Sequence, residues 1–146
     1  MAPKTSKPEG RLLARQHITY AEPEPARRLL RDLDMLYPRA NLENSWWLGH
    51  GLIEVRDSYR RRILLEGFWI APNRRNLGHG AAMLDTLTGL ADRHGVAIDT
   101  WADRYDVGKV KTGLRNGELR EWYARWGFKP HPTRKGWLRR EPRRAS

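Results

Sequence analysis

The apolar positions of this chain alternate between helical and strand period. Leu29, Leu30, Leu33 and Leu36 recur at the spacing of one helix face until Pro38 stops them, after a short β-type run at 16–21. Residues 46–48, 52–55 and 63–70 then read as consecutive antiparallel strands, with turns at Gly49-His50-Gly51 and Asp57-Ser58-Tyr59-Arg60. Leu77, Ala81, Leu84, Leu87 and Ala91 return to the helical stripe, and Gly95 is placed to cap it. Beyond it, 96–101 reads as a strand, 118–126 as a short helix, and 128–131 with 136–140 as a closing strand pair. Strands come first and a strand, helix, strand crossover follows. That order predicts an α+β protein with a mixed sheet of six to seven strands flanked by about four helices.

A length of 146 residues fits one domain around one core. Residues 1–10, with two prolines, a glycine and two lysines, read as a disordered leader, 11–140 as the domain and 141–146 as a basic tail. No apolar run approaches the roughly 18 residues of a membrane span, and the first residues lack the apolar stretch of a secretory signal, so a cytoplasmic location is expected. With no cysteine, any catalysis falls to oxygen and nitrogen groups. The five histidines show no paired spacing, which predicts no metal site. The net charge of +11 favours anionic partners but does not separate polyanions from small phosphates. Much of it sits late in the chain, at Lys129, Arg134, Lys135, Arg139, Arg140, Arg143 and Arg144. That run fits a solvated terminus as well as a contact with nucleic acid or acidic protein.

Between the strand at 63–70 and the following helix stands Arg75-Asn76-Leu77-Gly78-His79-Gly80. Glycines at 78 and 80 permit close approach of an anion to backbone N–H groups at the positive end of a helix, which points to a pyrophosphate. The pattern is neither a Walker A loop nor Gly-x-Gly-x-x-Gly. It resembles the acyl-CoA turn of the GNAT acetyltransferases, Arg/Gln-x-x-Gly-x-Gly/Ala. A second segment resembles the same family: Asn116 lies seven residues before Tyr123, and Gly127-Phe128 follows four after it. The resemblance covers about residues 15–140 and implies a GNAT fold and an acyl-CoA-dependent N-acyltransferase, with acetyl-CoA as donor and an amine as acceptor. It also implies direct attack of the amine in a ternary complex.

The resemblance further implies that the strand at 64–71 splays from its neighbour at 96–101, and that its main chain, Ile70 included, binds the pantetheine and the thioester oxygen. Pyrophosphate contacts would come from Leu77, Gly78, His79, Gly80 and Ala81, with Asn76 in the same turn and Arg75 adding a charge-assisted contact. Asn116 would bind the pantetheine, and Tyr123 stands where the family places a cofactor-contacting tyrosine that protonates the departing thiolate.

The chemistry has a further demand. An amine of pKa about 10.4 is neutral about once in 2500 molecules at pH 7, a cost of about 4.6 kcal/mol. Glu66, a lone carboxylate in an apolar strand, is the candidate base, and a cross-strand pair with Arg56 or Arg62 is the structural alternative. Glu54 and His50 are substitutes on the preceding strand region. Residues 102–115 make the link to Asn116 about ten residues longer than the family's usual one, which marks them as a substrate loop or a tolerated insertion. Of the adjacent Trp46 and Trp47, one faces away from the core in a period-two strand. The competing function is a basic nucleic-acid-binding or inhibitory module on an inactive GNAT-like domain, and the chain is expected to be a monomer or homodimer.

Overall fold

A computed structural model describes residues 24–40, 43–71, 73, 77–101, 110–111 and 116–144. The leader, the β-type run at 16–21 and most of the 102–115 link therefore lie outside the described residues, as do Arg75 and Asn76.

Helix α1 spans Pro25–Leu36 and opens on a proline, whose fixed φ suits a first turn. Ala26, Leu29 and Leu33 are buried, while Leu36 is exposed at the helix end and drops out of the expected stripe. Strands β1 (Ser45–Leu48), β2 (Gly51–Tyr59) and β3 (Arg62–Ile70) form an antiparallel meander. Strand β2 runs into the predicted turn as far as Tyr59, since its distal half is exposed and carries no apolar alternation to read.

Helix α2 (His79–His94) crosses over to β4 (Ala97–Trp101), which pairs parallel to β3. Gly95, with φ 68°, ends α2 as the spacing predicts. A two-residue strand β5 (Val110–Lys111), helix α3 (Asn116–Ala124) and strands β6 (Lys129–Pro130) and β7 (Trp137–Arg140) complete the chain. The strand order is β1-β2-β3-β4-β7-β6, with β5 paired to β3 off that path. Seven strands and three helices are present among the described residues, one helix fewer than expected. No described helix is long and apolar enough to cross a membrane.

The helices share one face of the sheet. Gly51, Ile53 and Val55 of β2 and Leu65, Phe68 and Ile70 of β3 are buried there, against Leu29 and Leu33 of α1, Met83, Leu84 and Leu87 of α2, and Leu119 and Tyr123 of α3. Trp46 is the member of the tryptophan pair that joins this core, its indole N–H donating to Asp34 of α1 at 3.0 Å. Trp47 points to the other face and is exposed.

Two of the late arginines belong to this framework. Arg140 is 2% exposed, donates to both Asp92 oxygens at 2.8 and 3.0 Å, and reaches the Trp126 carbonyl at 2.6 Å. Arg139 forms a second two-pronged pair with Asp99, at 2.7 and 3.0 Å. Their charge is thus matched within the fold and is not offered to a polyanion.

Candidate active site

Of the turn into α2, the residues from Leu77 onward are described. Gly78 takes φ 84°, a left-handed value costly for other residues, and no atom of the described residues lies within 4 Å of where its Cβ would stand. No side chain caps the helix and no carboxylate lies in its first turn, so its positive end has no anion supplied from the first turn itself. Leu77 is exposed, and His79 is half-buried with its ring centroid 4.5 Å from that of His50.

Gly80 is hemmed in by packing. A Cβ there would meet Ile70 Cδ1 at 3.1 Å, Trp122 Cζ2 at 3.2 Å and Phe68 Cζ at 3.4 Å. Its missing side chain lets α2, β3 and α3 close on one another. Ile70 likewise turns its side chain into the core.

Ahead of this turn, β3 changes partner. Its pairing with β4 runs from Arg62/Ala97 to Leu65/Thr100 and stops. The register with β2 shifts at the same place: Val55 faces Leu65 and Glu54 faces Gly67, leaving Glu66 as the extra residue of a β-bulge. Beyond it, Phe68 and Trp69 pair parallel with Val110 and Lys111. The strand does separate from β4, but its edge is not left open along its length, since β5 takes up the distal part. Between the two partners, Glu66 and Gly67 pair with neither β4 nor β5.

Glu66 adopts the structural arrangement weighed against catalysis, accepting from Arg56 Nε at 2.8 Å, with its side chain 23% exposed. The Arg56 contact occupies one Glu66 oxygen, so a substrate group would have to displace or share it. Tyr123 is 1% exposed on the helix side. Burial pushes its phenol above the usual range, against a smaller opposing effect of a hydrogen bond with Thr100. The single Thr100 hydroxyl hydrogen is donated to the Leu65 carbonyl at 3.0 Å, so the phenol is the donor to Thr100. The chain Tyr123, Thr100, Leu65 ends at the last residue β3 shares with β4. Asn116 begins α3, and its side chain lies outside the described residues.

The bulge at Glu66 and the chain from Tyr123 through Thr100 to Leu65 thus both border the point where β3 and β4 part, and the turn into α2 follows the end of β3. The architecture is consistent with a GNAT fold. Compared with known proteins, the chain resembles the solved structure of nourseothricin acetyltransferase at 17% identity, over 64% of this chain and 58% of that one, with a TM-score of 0.44. It also resembles Ard1 from Thermoplasma volcanium, at 16% identity over 80% and 76% of the two chains and a TM-score of 0.48. A GNAT-family protein from Desulfovibrio desulfuricans matches at 19% identity over 70% and 66%, with a TM-score of 0.44. The chain thus spans less than two thirds of the nourseothricin acetyltransferase. No family model and no curated protein matches the sequence.

Three contributors escaped the sequence reading. Thr100 is an ordinary strand residue until its hydroxyl is seen between Tyr123 and Leu65. Gly67 lies inside the strand read at 63–70, where a glycine is a signal of a bulge. Strand β5 is too short to show periodicity. Among the described residues no cluster of three metal-ligating side chains occurs.

Proposed function

We propose that this protein is an acyl-CoA-dependent N-acyltransferase, taking an acetyl group from acetyl-CoA to a primary amine. The observation that carries this reading is the uncapped start of α2 at Gly78, set at the end of the strand that parts from β4. Acyl-CoA would supply the activated thioester and the phosphates that the α2 turn can receive. The open space at Gly78 and the lack of a capping side chain fit such an anion.

The residues divide the remaining work. First-turn N–H groups from Leu77 to Ala81, with Asn76 and Arg75 beside them, hold the phosphates. The backbone of Glu66 and Gly67 offers the thioester main-chain contacts on the edge that neither β4 nor β5 occupies. Glu66 takes the proton from the attacking ammonium, exchanging its Arg56 partner for substrate. Tyr123, kept protonated by burial, gives a proton to the departing thiolate and is re-protonated through solvent. Asn116 opens α3 beside this site and binds the pantetheine arm.

Isothermal titration with CoA and acetyl-CoA tests the donor, and thiol release with a panel of amines tests the transfer. Binding in the micromolar range with amine-dependent release is expected. No heat at high micromolar CoA would remove the reading.

A further inference from the structure

The end of the sheet opposite the α2 turn carries charge that the fold does not consume. There Glu24 pairs with Arg60, Asp57 with Arg27, Asp99 with Arg139 and Asp92 with Arg140. Arg61, Arg62, Lys129 and Arg143 have no carboxylate partner among the described residues. These four line two neighbouring cavities. One, of about 410 Å³, holds Arg61 and Arg62 beside Tyr59, and the other, of about 430 Å³, holds Lys129 and Arg143 beside Pro130 and Pro132. Arg139, Glu141 and Pro142 line both, so the two hollows form one groove. Arg62 opens β3 and the turn into α2 follows Ile70 at its other end, which sets the groove roughly 25 Å from the proposed donor site.

We infer that this groove binds single-stranded nucleic acid, with phosphates on Arg61, Arg62, Lys129 and Arg143 and a base stacked on Tyr59. The local charge suits an anion: four cations without carboxylate partners stand against Glu141, the one carboxylate among the described lining residues. Three of the four are arginines, whose planar forks match phosphate oxygens. The Tyr59 ring is 61% exposed, with the Arg62 guanidinium 5.0 Å from its centroid, so a stacking surface stands beside a cation. An acidic peptide is matched less well. Extended peptides draw on an open sheet edge, and the outermost strand here, β6, is two residues long and spends one of them on Pro130, which has no N–H to give. A sugar-phosphate backbone needs cations and a stacking ring, and no sheet edge. The groove shares no residue with the proposed acyl-transfer machinery, and the inference does not rest on that reading.

The test follows the fluorescence anisotropy of a labelled oligothymidylate of about 12 nucleotides titrated with the full chain, in salt from about 50 to 200 mM. Saturable binding that weakens steeply with salt is expected. Arg61→Glu and Arg143→Glu, one in each hollow, should each weaken it roughly tenfold, and Tyr59→Ala by a similar factor. Arg31→Glu makes the same charge change at an exposed position of α1 and should alter affinity less than about twofold. Urea unfolding midpoints near that of wild type show that the variants are folded, and Arg61→Gln and Arg143→Gln replace any reversal that is not. Absence of binding at the lowest salt overturns the inference, as does a loss in Arg31→Glu equal to that in Arg61→Glu. An oligoglutamate of equal length that competes as well as the oligonucleotide also overturns it, in favour of an acidic peptide.

Discussion

Replacing Asp92 by alanine should destabilise the protein more than any other single surface-reaching carboxylate change. The Asp92 side chain accepts two hydrogen bonds from Arg140 and one, at 2.7 Å, from the backbone N–H of Arg143. Burial alone would raise its carboxyl, yet these bonds and the charges of Arg140 and Arg143 outweigh it and hold it below the usual carboxylate range. The Arg140 side chain is 3% exposed and that of Asp92 30%, so the partners are unequal: losing Asp92 strands a buried cation, whereas losing Arg140 leaves an anion that water can reach. Charge-assisted bonds contribute about 1.5–3 kcal/mol, and a stranded buried charge costs about 3–5 kcal/mol. Discounting for the partial exposure of Asp92, Asp92→Ala should cost about 3 kcal/mol and lower Tm by about 10 °C. Arg140→Met, which removes charge and desolvation together, should cost less than about 1.5 kcal/mol. Urea unfolding followed by tryptophan fluorescence measures both. The reasoning is refuted if Arg140→Met costs as much as Asp92→Ala, or if Asp92→Ala is neutral. Because the native carboxyl is depressed, its contribution is complete above the unfolded value of about 4 and lost as pH falls through the lower native one. The gap between wild type and Asp92→Asn should therefore close only in strong acid.

Other outcomes can be checked alongside it. Gly78→Val should weaken CoA binding at least tenfold by calorimetry, since it forces a β-branched residue into φ 84°, with unfolding cooperativity retained. Gly80→Val should instead lower stability by about 1–3 kcal/mol, because its side chain enters the packed space between Ile70, Phe68 and Trp122. Burial lowers the His131 imidazole pKa, aided by Arg139 and by the charges of Arg134 and Arg62 against an opposing Asp99. The unfolded chain then binds the proton more readily, so stability should fall as pH drops through about 6.5, and thermal melts of His131→Gln should show a flatter profile. If Tyr123 donates to the thiolate, Tyr123→Phe should lower kcat roughly 10²-fold with KM for the donor little changed.

Much of the frame was legible because it rests on repeating spacing. The α2 stripe and its Gly95 cap, the three-strand meander and the late strand pair each repeat an apolar period or end on a glycine. What stayed hidden depends on contacts between distant positions. Nothing local distinguishes Arg140 from its neighbour Arg143, yet one is locked under Asp92 and the other is exposed. Glu66 could be read as base or ion pair, and its Arg56 contact appears only when β2 and β3 are brought into register. Gly80 looked like a partner of Gly78 in one motif, but the two glycines meet different demands, packing for one and backbone conformation for the other. Trp46 and Trp47 were separable by alternation, though not which of them would find Asp34.

Strands β4 and β5 lie on the same edge of β3 and run in the same direction, so in the sheet they act as one strand interrupted between Trp101 and Val110. The interruption uncouples chain length from sheet register: residues can be gained or lost between the two anchor points while both pairings persist, at a closure cost that grows only slowly with length. A reporter peptide inserted between the two strands should therefore leave both pairings in place, which an unchanged urea unfolding midpoint of the insertion variant would check.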